Sequence, residues 1–400
     1  MSGTPVAKPL RQALALSLGA AVSLGLARFS YALLLGPMRA DLGWSYFTAG
    51  VMNTSNAAGY LLGALLMPRL MARAGPRAAF VGGGFSTAVL LALHGLVHSD
   101  AALLALRLAS GAASAATFVA GGLLAARLGG QVQAGAGGRL NAGLVLGLYY
   151  GGTGLGIVAS ALLVPAAETL GRAHGWQPAW WALGAVALLM SGLMACGTAA
   201  DLPAPIGQPG AAVLPWRRLS WALAGYGCFG LGYIGYMTFI VSLLREQQLS
   251  SGLITAFYAL LGVGVMASSW LWAGLLQRWQ GGQPMALLNA LLALATLLPV
   301  LSAHPLAVFG SGALFGAVFL SVVASTTALV RHNLPAAAWA AGITAFTIVF
   351  AIGQIAGPSL VGLIADAGGG LARGLALSAA LLALGAALAA CQRPLNLPGR

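Results

Sequence analysis

The chain has 400 residues, of which 59% are hydrophobic and only 6% charged, and its mean hydropathy is +0.89. A soluble domain carries about 25% charged residues, so a chain this poor in charge cannot cover a water-facing surface and must use lipid as part of its solvent. The formal net charge is +13, but the basic residues stand singly between apolar stretches, with no basic face or run; this argues against a nucleic-acid partner and makes the excess a topology signal.

In chain order, Lys8 and Arg11 precede an apolar run that starts at Ala13 and continues through Arg28 to Pro37. That is too long for a signal peptide and has no small-residue cleavage site, so it reads as a first spanning helix. A span needs about 20 mostly apolar residues. Runs of that kind fall at about 12–36, 46–67, 77–97, 101–127, 140–166, 178–199, 218–244, 253–276, 284–302, 305–330, 337–364 and 371–391. They are continuous rather than alternating, which excludes barrel strands. The expected architecture is an all-α membrane protein with twelve transmembrane helices. With the N-terminus on the cytoplasmic side, thirteen Lys and Arg fall in cytoplasmic segments and four (Arg39, Arg172, Arg245 and Arg373) on the opposite side. An odd number of spans would scramble that partition, so both termini are expected inside. The stretch from Asp201 to Gly210, rich in Pro and Gly, is the linker-like segment. It divides the chain into bundles at 1–199 and 217–400 joined by a cytoplasmic linker at 200–216.

The halves echo one another. Gly25-Leu26 followed by Tyr31 matches Gly230-Leu231 followed by Tyr236, with Tyr233 standing where the first half has Arg28. The loop Arg73-Ala74-Gly75-Pro76-Arg77 has its counterpart in Arg278-Trp279-Gln280-Gly281-Gly282. Two parallel six-helix repeats place a substrate site between them near the membrane midplane.

Arg28 sits about 13 Å from the outer end of its helix, and Arg107, within the fourth span, about 9 Å from the same side, at about 1.5 Å per residue. A guanidinium stays charged in a poor solvent and costs several kcal/mol there, so it points to a water-filled cavity and an anion. None of the six acids falls in the middle of an apolar run. The competing reading makes Arg28 a structural arginine capped by carbonyls and Arg107 a hub of helix packing. Candidate cavity-lining companions are Tyr31, Asn53, Asn56, Tyr149, Tyr233, Tyr236 and Gln354, with Tyr60, Tyr150 and Tyr258 beside them. Asn53, Asn56 and Tyr60 share a helical face at i, i+3 and i+7. Gly357-Pro358 in the eleventh span is a candidate hinge. Arg73, Gly75, Arg77, Arg278 and Gly282 are candidate gating-loop residues. For proton coupling the candidates are His94, Glu168 and Asp366. Cys196, Cys228 and Cys391 are isolated and fit no metal site or disulfide framework, and no cofactor is implied. No His-Glu-x-x-His, phosphate loop or paired intramembrane carboxylates are present, which argues against an enzyme.

At these positions the sequence resembles the major facilitator superfamily over essentially the whole chain. The Arg-Gly loops resemble its signature loop, with the usual Asp replaced near Met67-Pro68. Leu103…Arg107-Leu108-Ala109-Ser110-Gly111 resembles its intramembrane Arg-x-x-x-Gly motif. Gly147…Gly151-Gly152-Thr153-Gly154-Leu155-Gly156 resembles the glycine-rich antiporter motif without its proline. The stretches Gly25 to Tyr31, Asp41 to Ser45, Gly230 to Ile234 and Gly353 to Pro358 are similar to the YbfB/YjiJ-type branch of bacterial permeases. The resemblance implies a transporter fold in the inner membrane, helices one and four meeting at a central cavity, and no particular substrate. The leading expectation is a monomeric secondary transporter for a small organic anion, coupled to protons or a counter-anion. The alternatives are an exporter of amphipathic drugs with Arg28 structural, and a non-transporting sensor.

Overall fold

The computed structural model describes residues 7–134, 141–169, 174–198 and 215–395. Almost all of the expected linker at 200–216 lies outside the described residues, as do Arg139, Arg172, Asp201 and Arg400. Regular structure among the described residues is helical throughout. The first rod is α1 (Ala7–Ala20), a π-helical segment (Ala21–Phe29) and α2 (Tyr31–Leu42). Then follow α3 (Tyr46–Ala74), α4 (Pro76–His94), α5 (Asp100–Ala134), α6 (Ala142–Glu168) and α7 (Trp176–Gly197). The rest of the chain forms α8 (Trp216–Glu246), α9 (Ser251–Leu271), the short α10 (Ala273–Arg278), α11 (Gln283–Leu301) and α12 (Pro305–Asn333). It ends with α13 (Trp339–Ile364), a second π-helical segment (Ala365–Gly369) and α14 (Gly370–Ala390).

The boundaries have local causes. Pro76, Pro284 and Pro305 stand in the first turns of α4, α11 and α12, where a missing N–H costs nothing. Gly43 ends α2 at φ 68°, a left-handed cap that favours glycine. Asn141 caps α6 by accepting from Leu144 N at 2.8 Å.

Ten segments among the described residues are long and apolar enough to cross a bilayer by length and composition. Two features separate that figure from the twelve runs in the sequence. Ala341–Ala390 counts as one segment because the second π-helical stretch joins α13 to α14. α3, which carries Asn53, Thr54, Ser55 and Asn56 in succession, is not among the ten.

Contacts group the chain into two compact units. Unit 1 comprises Met1–Gly43, Ser55–Pro205 and Ser251–Met266, and unit 2 comprises Trp44–Thr54, Ile206–Ser250 and Ala267–Arg400. Each unit therefore takes a helix segment from the other half of the sequence: the first part of α9 in unit 1, and the head of α3 in unit 2. Within unit 1, α4 packs on α5 and α7, while α6 lies along α1 and the first π-helical segment. Within unit 2, α8 packs on α13 and α14, and α11 on α12 and α14.

The closest backbone approach around the first π-helical segment is at Gly25 and Gly156. A Cβ on Gly25 would sit 2.7 Å from the Gly156 carbonyl carbon and 2.8 Å from Thr153 O. Lipid gives helices no hydrophobic reason to associate, so such small-residue contacts carry the packing. Gly156→Val should lower the unfolding temperature in detergent by the equivalent of about 1–3 kcal/mol of overpacking. Gly82→Ala, where nothing lies within 4 Å, should leave it unchanged. Equal behaviour of the two variants would refute the close-contact account.

Candidate functional site

The residues singled out around Arg28 meet in unit 1, and the element that organises them is the π-helical turn. Ser30 N bonds to Gly25 O at 3.1 Å, a five-residue step, before the chain resumes α-helix at Tyr31. A change of step leaves carbonyls short of backbone donors, and a bilayer interior offers no water to replace them. Side chains take that role here. Ser30 Oγ donates to Leu26 O, Arg107 Nη1 donates to Ala27 O at 3.1 Å, and Tyr258 Oη donates to Phe29 O at 2.6 Å. The donors come from the rod itself, from α5 and from the segment of α9 that belongs to unit 1.

These bonds flank Arg28 on both sides. Its guanidinium lies 5.6 Å from the centre of the Tyr60 ring, and Arg107 lies 4.5 Å from the centre of the Tyr31 ring. Such contacts favour a cation over an aromatic face. Arg28 is 4% exposed and Arg107 1%. Asn56 fixes the base of Arg107 on α5, donating to Arg107 O and to Ser110 Oγ, both at 3.1 Å. Arg28, Tyr31, Asn56, Tyr60 and Arg107 thus form one cluster in unit 1.

Asn53 goes elsewhere. It donates to Thr238 Oγ1 of α8 at 2.7 Å, inside unit 2. Asn53 and Asn56 lie about 60° apart on one side of α3, yet each finds a different neighbour. Unit 2 brings together another expected pair, with Tyr233 Oη donating to Gln354 Oε1 at 3.1 Å. Tyr236 stacks on Phe315 at 4.0 Å and shares a hydrogen bond with Ser311 at 2.7 Å. Tyr149 is fully buried in unit 1 and donates to Phe118 O at 2.6 Å, which makes it a fastener between α5 and α6.

The loop residues divide in the same way. Arg77 caps the end of α7, donating to Thr198 O at 3.1 Å and Ala195 O at 2.9 Å. Gly75 starts α4 at φ 82°. Gly282 N bonds to Gln392 O at 2.9 Å, while Arg73 and Arg278 are exposed. α13 runs through Gly357 and Pro358 without a break. Thr54 Oγ1 donates to Ile355 O at 2.6 Å and pairs with Ser359 Oγ at 2.8 Å, which supports the backbone beside the proline. The irregular backbone lies further on, at Ala367 and Gly368.

Of the proton-coupling candidates, His94 is fully buried, stacks on Trp180 at 4.4 Å and donates through Nδ1 to Leu90 O at 2.7 Å. Glu168 closes α6. Asp366 is exposed and accepts from Tyr46 N and Phe47 N. Sequence reasoning named Tyr258 as polar and aromatic but missed its bond to Phe29 O. It also missed Ser30, whose only signal was a hydroxyl two residues after Arg28.

With this geometry in hand, comparisons with known proteins give the family. The model of a family described as uncharacterised MFS-type transporter YbfB matches residues 20–390. The chain belongs to this family. It is a multi-pass membrane transporter and not an enzyme. A search of curated proteins returns no match. Among solved structures, this YbfB-type chain is similar to a bacterial homologue of the human lysosomal transporter Spinster in an inward-facing, unoccupied conformation. The TM-score is 0.71 at 14% identity, covering 97% of each chain. The occupied inward-facing form of that homologue gives 0.71 at 14% identity, covering 98% of this chain and 97% of that one. A mutant of the nucleoside transporter NupG gives 0.69 at 14% identity, covering 95% and 98%. Likeness at this identity establishes the fold.

Tyr258→Phe removes one hydroxyl and leaves the Phe29 carbonyl buried without that donor. It should cost about 1–3 kcal/mol, read as a fall in unfolding temperature of the purified transporter. Thr347→Val, at an exposed position, should change it by less than about 0.5 kcal/mol. A Tyr258→Phe protein as stable as the parent would show that the turn does not depend on this bond.

Proposed function

We propose that this transporter is a secondary active carrier that moves a small organic anion across the cell inner membrane by alternating access. In this reading twelve spans form two six-helix repeats, 1–199 and 217–400, joined by 200–216, with both termini cytoplasmic. The protein works as a monomer, coupled to protons or a counter-anion. The observation that carries the reading is the pair of buried guanidiniums in unit 1, joined through the π-helical turn: Arg107 bonds to the carbonyl of the residue that precedes Arg28. Two positive charges in a poorly polarisable place repel one another, and an anion between them relieves that repulsion. The guanidinium fork matches a carboxylate with two parallel hydrogen bonds. Tyr31, Asn56 and Tyr149 are the companions of the arginines in the same unit. Within unit 2, Asn53, Tyr233, Tyr236 and Gln354 are the proposed substrate-contacting residues. The loops with Arg73, Gly75, Arg77, Arg278 and Gly282 serve gating, and Gly357-Pro358 serves as a hinge.

A second reading is favoured by a specific observation. Arg107 already serves Ala27 O and lies over Tyr31, as a structural arginine would. The cargo would then be an amphipathic drug for export, with Arg28 structural as well.

A thermal-shift screen of purified protein against mono- and dicarboxylates, amino acids and common drugs separates the two. The anion reading expects at least one carboxylate to raise the unfolding temperature by several degrees in the parent and not in a folded Arg28→Ala variant. Uptake of that carboxylate into proteoliposomes should be lost with the same substitution. Stabilisation by amphipathic drugs in both proteins, with carboxylates silent in both, would overturn it.

A further inference from the structure

The charges of unit 2 separate along its length. The sequence gives that unit two acids, Glu246 and Asp366. Both reach Tyr46 at the head of α3: Glu246 Oε1 accepts from its hydroxyl and Asp366 Oδ1 from its amide. α8, which Glu246 closes, opens with Trp216, Arg217 and Arg218, about 40 Å away at about 1.5 Å per residue. That far end is stitched together by Gln392, which is buried. Its Nε2 donates to Arg218 O at 2.9 Å and to Arg393 O at 2.8 Å. Its Oε1 accepts from Ala222 N at 3.2 Å, and its main-chain carbonyl from Gly282 N at 2.9 Å. Asn333 ties in the end of α12, donating to Gln280 O at 2.6 Å and accepting from Leu395 N at 2.6 Å. Arg217, Arg218, Arg278, Arg331 and Arg393 are exposed on the elements so joined, at the end of the unit to which the sequence gives no acid. Three exposed tryptophans stand among them, Trp216 and Trp221 on α8 and Trp279 beside Arg278.

We propose that this rim of unit 2 is a seat for the phosphate of an anionic phospholipid, with Arg218 and Arg393 as its central contacts. The inference rests on the chain being a membrane protein and on no reading of its cargo. Cations held together by the buried bonds of Gln392 repel one another, and a phosphodiester between them relieves that repulsion. A guanidinium fork holds two phosphate oxygens at once. One amide nitrogen carries the main chains of both Arg218 and Arg393, so their side chains leave from neighbouring points. The tryptophans select lipid over a free phosphate, because an indole joins an apolar body to a single N–H and settles where headgroups meet acyl chains. With both termini cytoplasmic, as proposed, this end faces the inner leaflet, where basic residues near the surface attract anionic headgroups.

Native mass spectrometry of the purified full chain, titrated with phosphatidylglycerol or phosphatidylcholine, tests the seat. The parent should bind the first phosphatidylglycerol at least about fivefold more tightly than phosphatidylcholine. Arg218→Gln combined with Arg393→Gln should remove that preference. Arg245→Gln combined with Arg373→Gln, at the end that carries the acids, should keep it. In the parent, a photoreactive phosphatidylglycerol should label the peptides holding Trp216, Trp221 or Trp279 in preference to the peptide holding Glu246, and excess inorganic phosphate should leave that labelling in place. Equal affinity for the two lipids overturns the proposal, as does a preference that survives the Arg218 and Arg393 substitutions. Labelling centred on the Glu246 end, or labelling abolished by inorganic phosphate, overturns it too. The labelling map of the parent decides the matter even where the double variant does not fold.

Discussion

A backbone carbonyl inside a membrane must find a donor within the protein. The π-helical turn at Ala21–Phe29 makes that constraint acute, because it shifts the step of the hydrogen-bond ladder in a wholly buried segment. Three side chains meet it, Ser30, Arg107 and Tyr258, at Leu26, Ala27 and Phe29. Much of unit 1 follows from this. α5 must lie close enough for Arg107 to reach Ala27, and the head of α9 must lie close enough for Tyr258 to reach Phe29. The contact of Gly25 with Gly156 lets α6 pack on the turn without a side chain between.

The same constraint places charge. Arg107 is drawn to the turn by a carbonyl and by the Tyr31 ring, and Arg28 is carried by the turn itself beside Tyr60. The fold therefore concentrates positive charge as a by-product of satisfying its backbone. In the proposed cycle that charge becomes the reason for an anion to bind and leave. Unit 2 uses the opposite device. Its negative side chains, Asp366 and Glu246, hold the first turn of α3, where a helix presents its own positive end.

Much of this was legible in the sequence, and the limits have physical causes. The helical, membrane-spanning character and many of the helix boundaries follow from apolar run length and from Pro and Gly at the ends, since lipid leaves a chain few other options. The first rod, α3 and α5 run five to seven residues beyond the expected ends. Arg28 and Arg107 stood out because a charge in an apolar run is expensive. The π-helical turn did not, because a four- or five-residue step depends on hydrogen bonding and not on composition. The bonds of Asp366 to Tyr46 N and Phe47 N were not legible because those partners are 320 and 319 residues away. The different partners of Asn53 and Asn56 were not legible because helical spacing gives a direction for each side chain and not the identity of the neighbour it meets.

If the turn is the organising feature, Arg107 and Tyr258 serve one structure and must be energetically coupled although they touch different carbonyls. A double-mutant cycle with Arg107→Met and Tyr258→Phe, measured by equilibrium unfolding in mixed micelles, tests this most directly. The account predicts non-additivity of about 1 kcal/mol or more, because either loss frees the same turn. Effects that add to within about 0.5 kcal/mol would show two independent fasteners and contradict it.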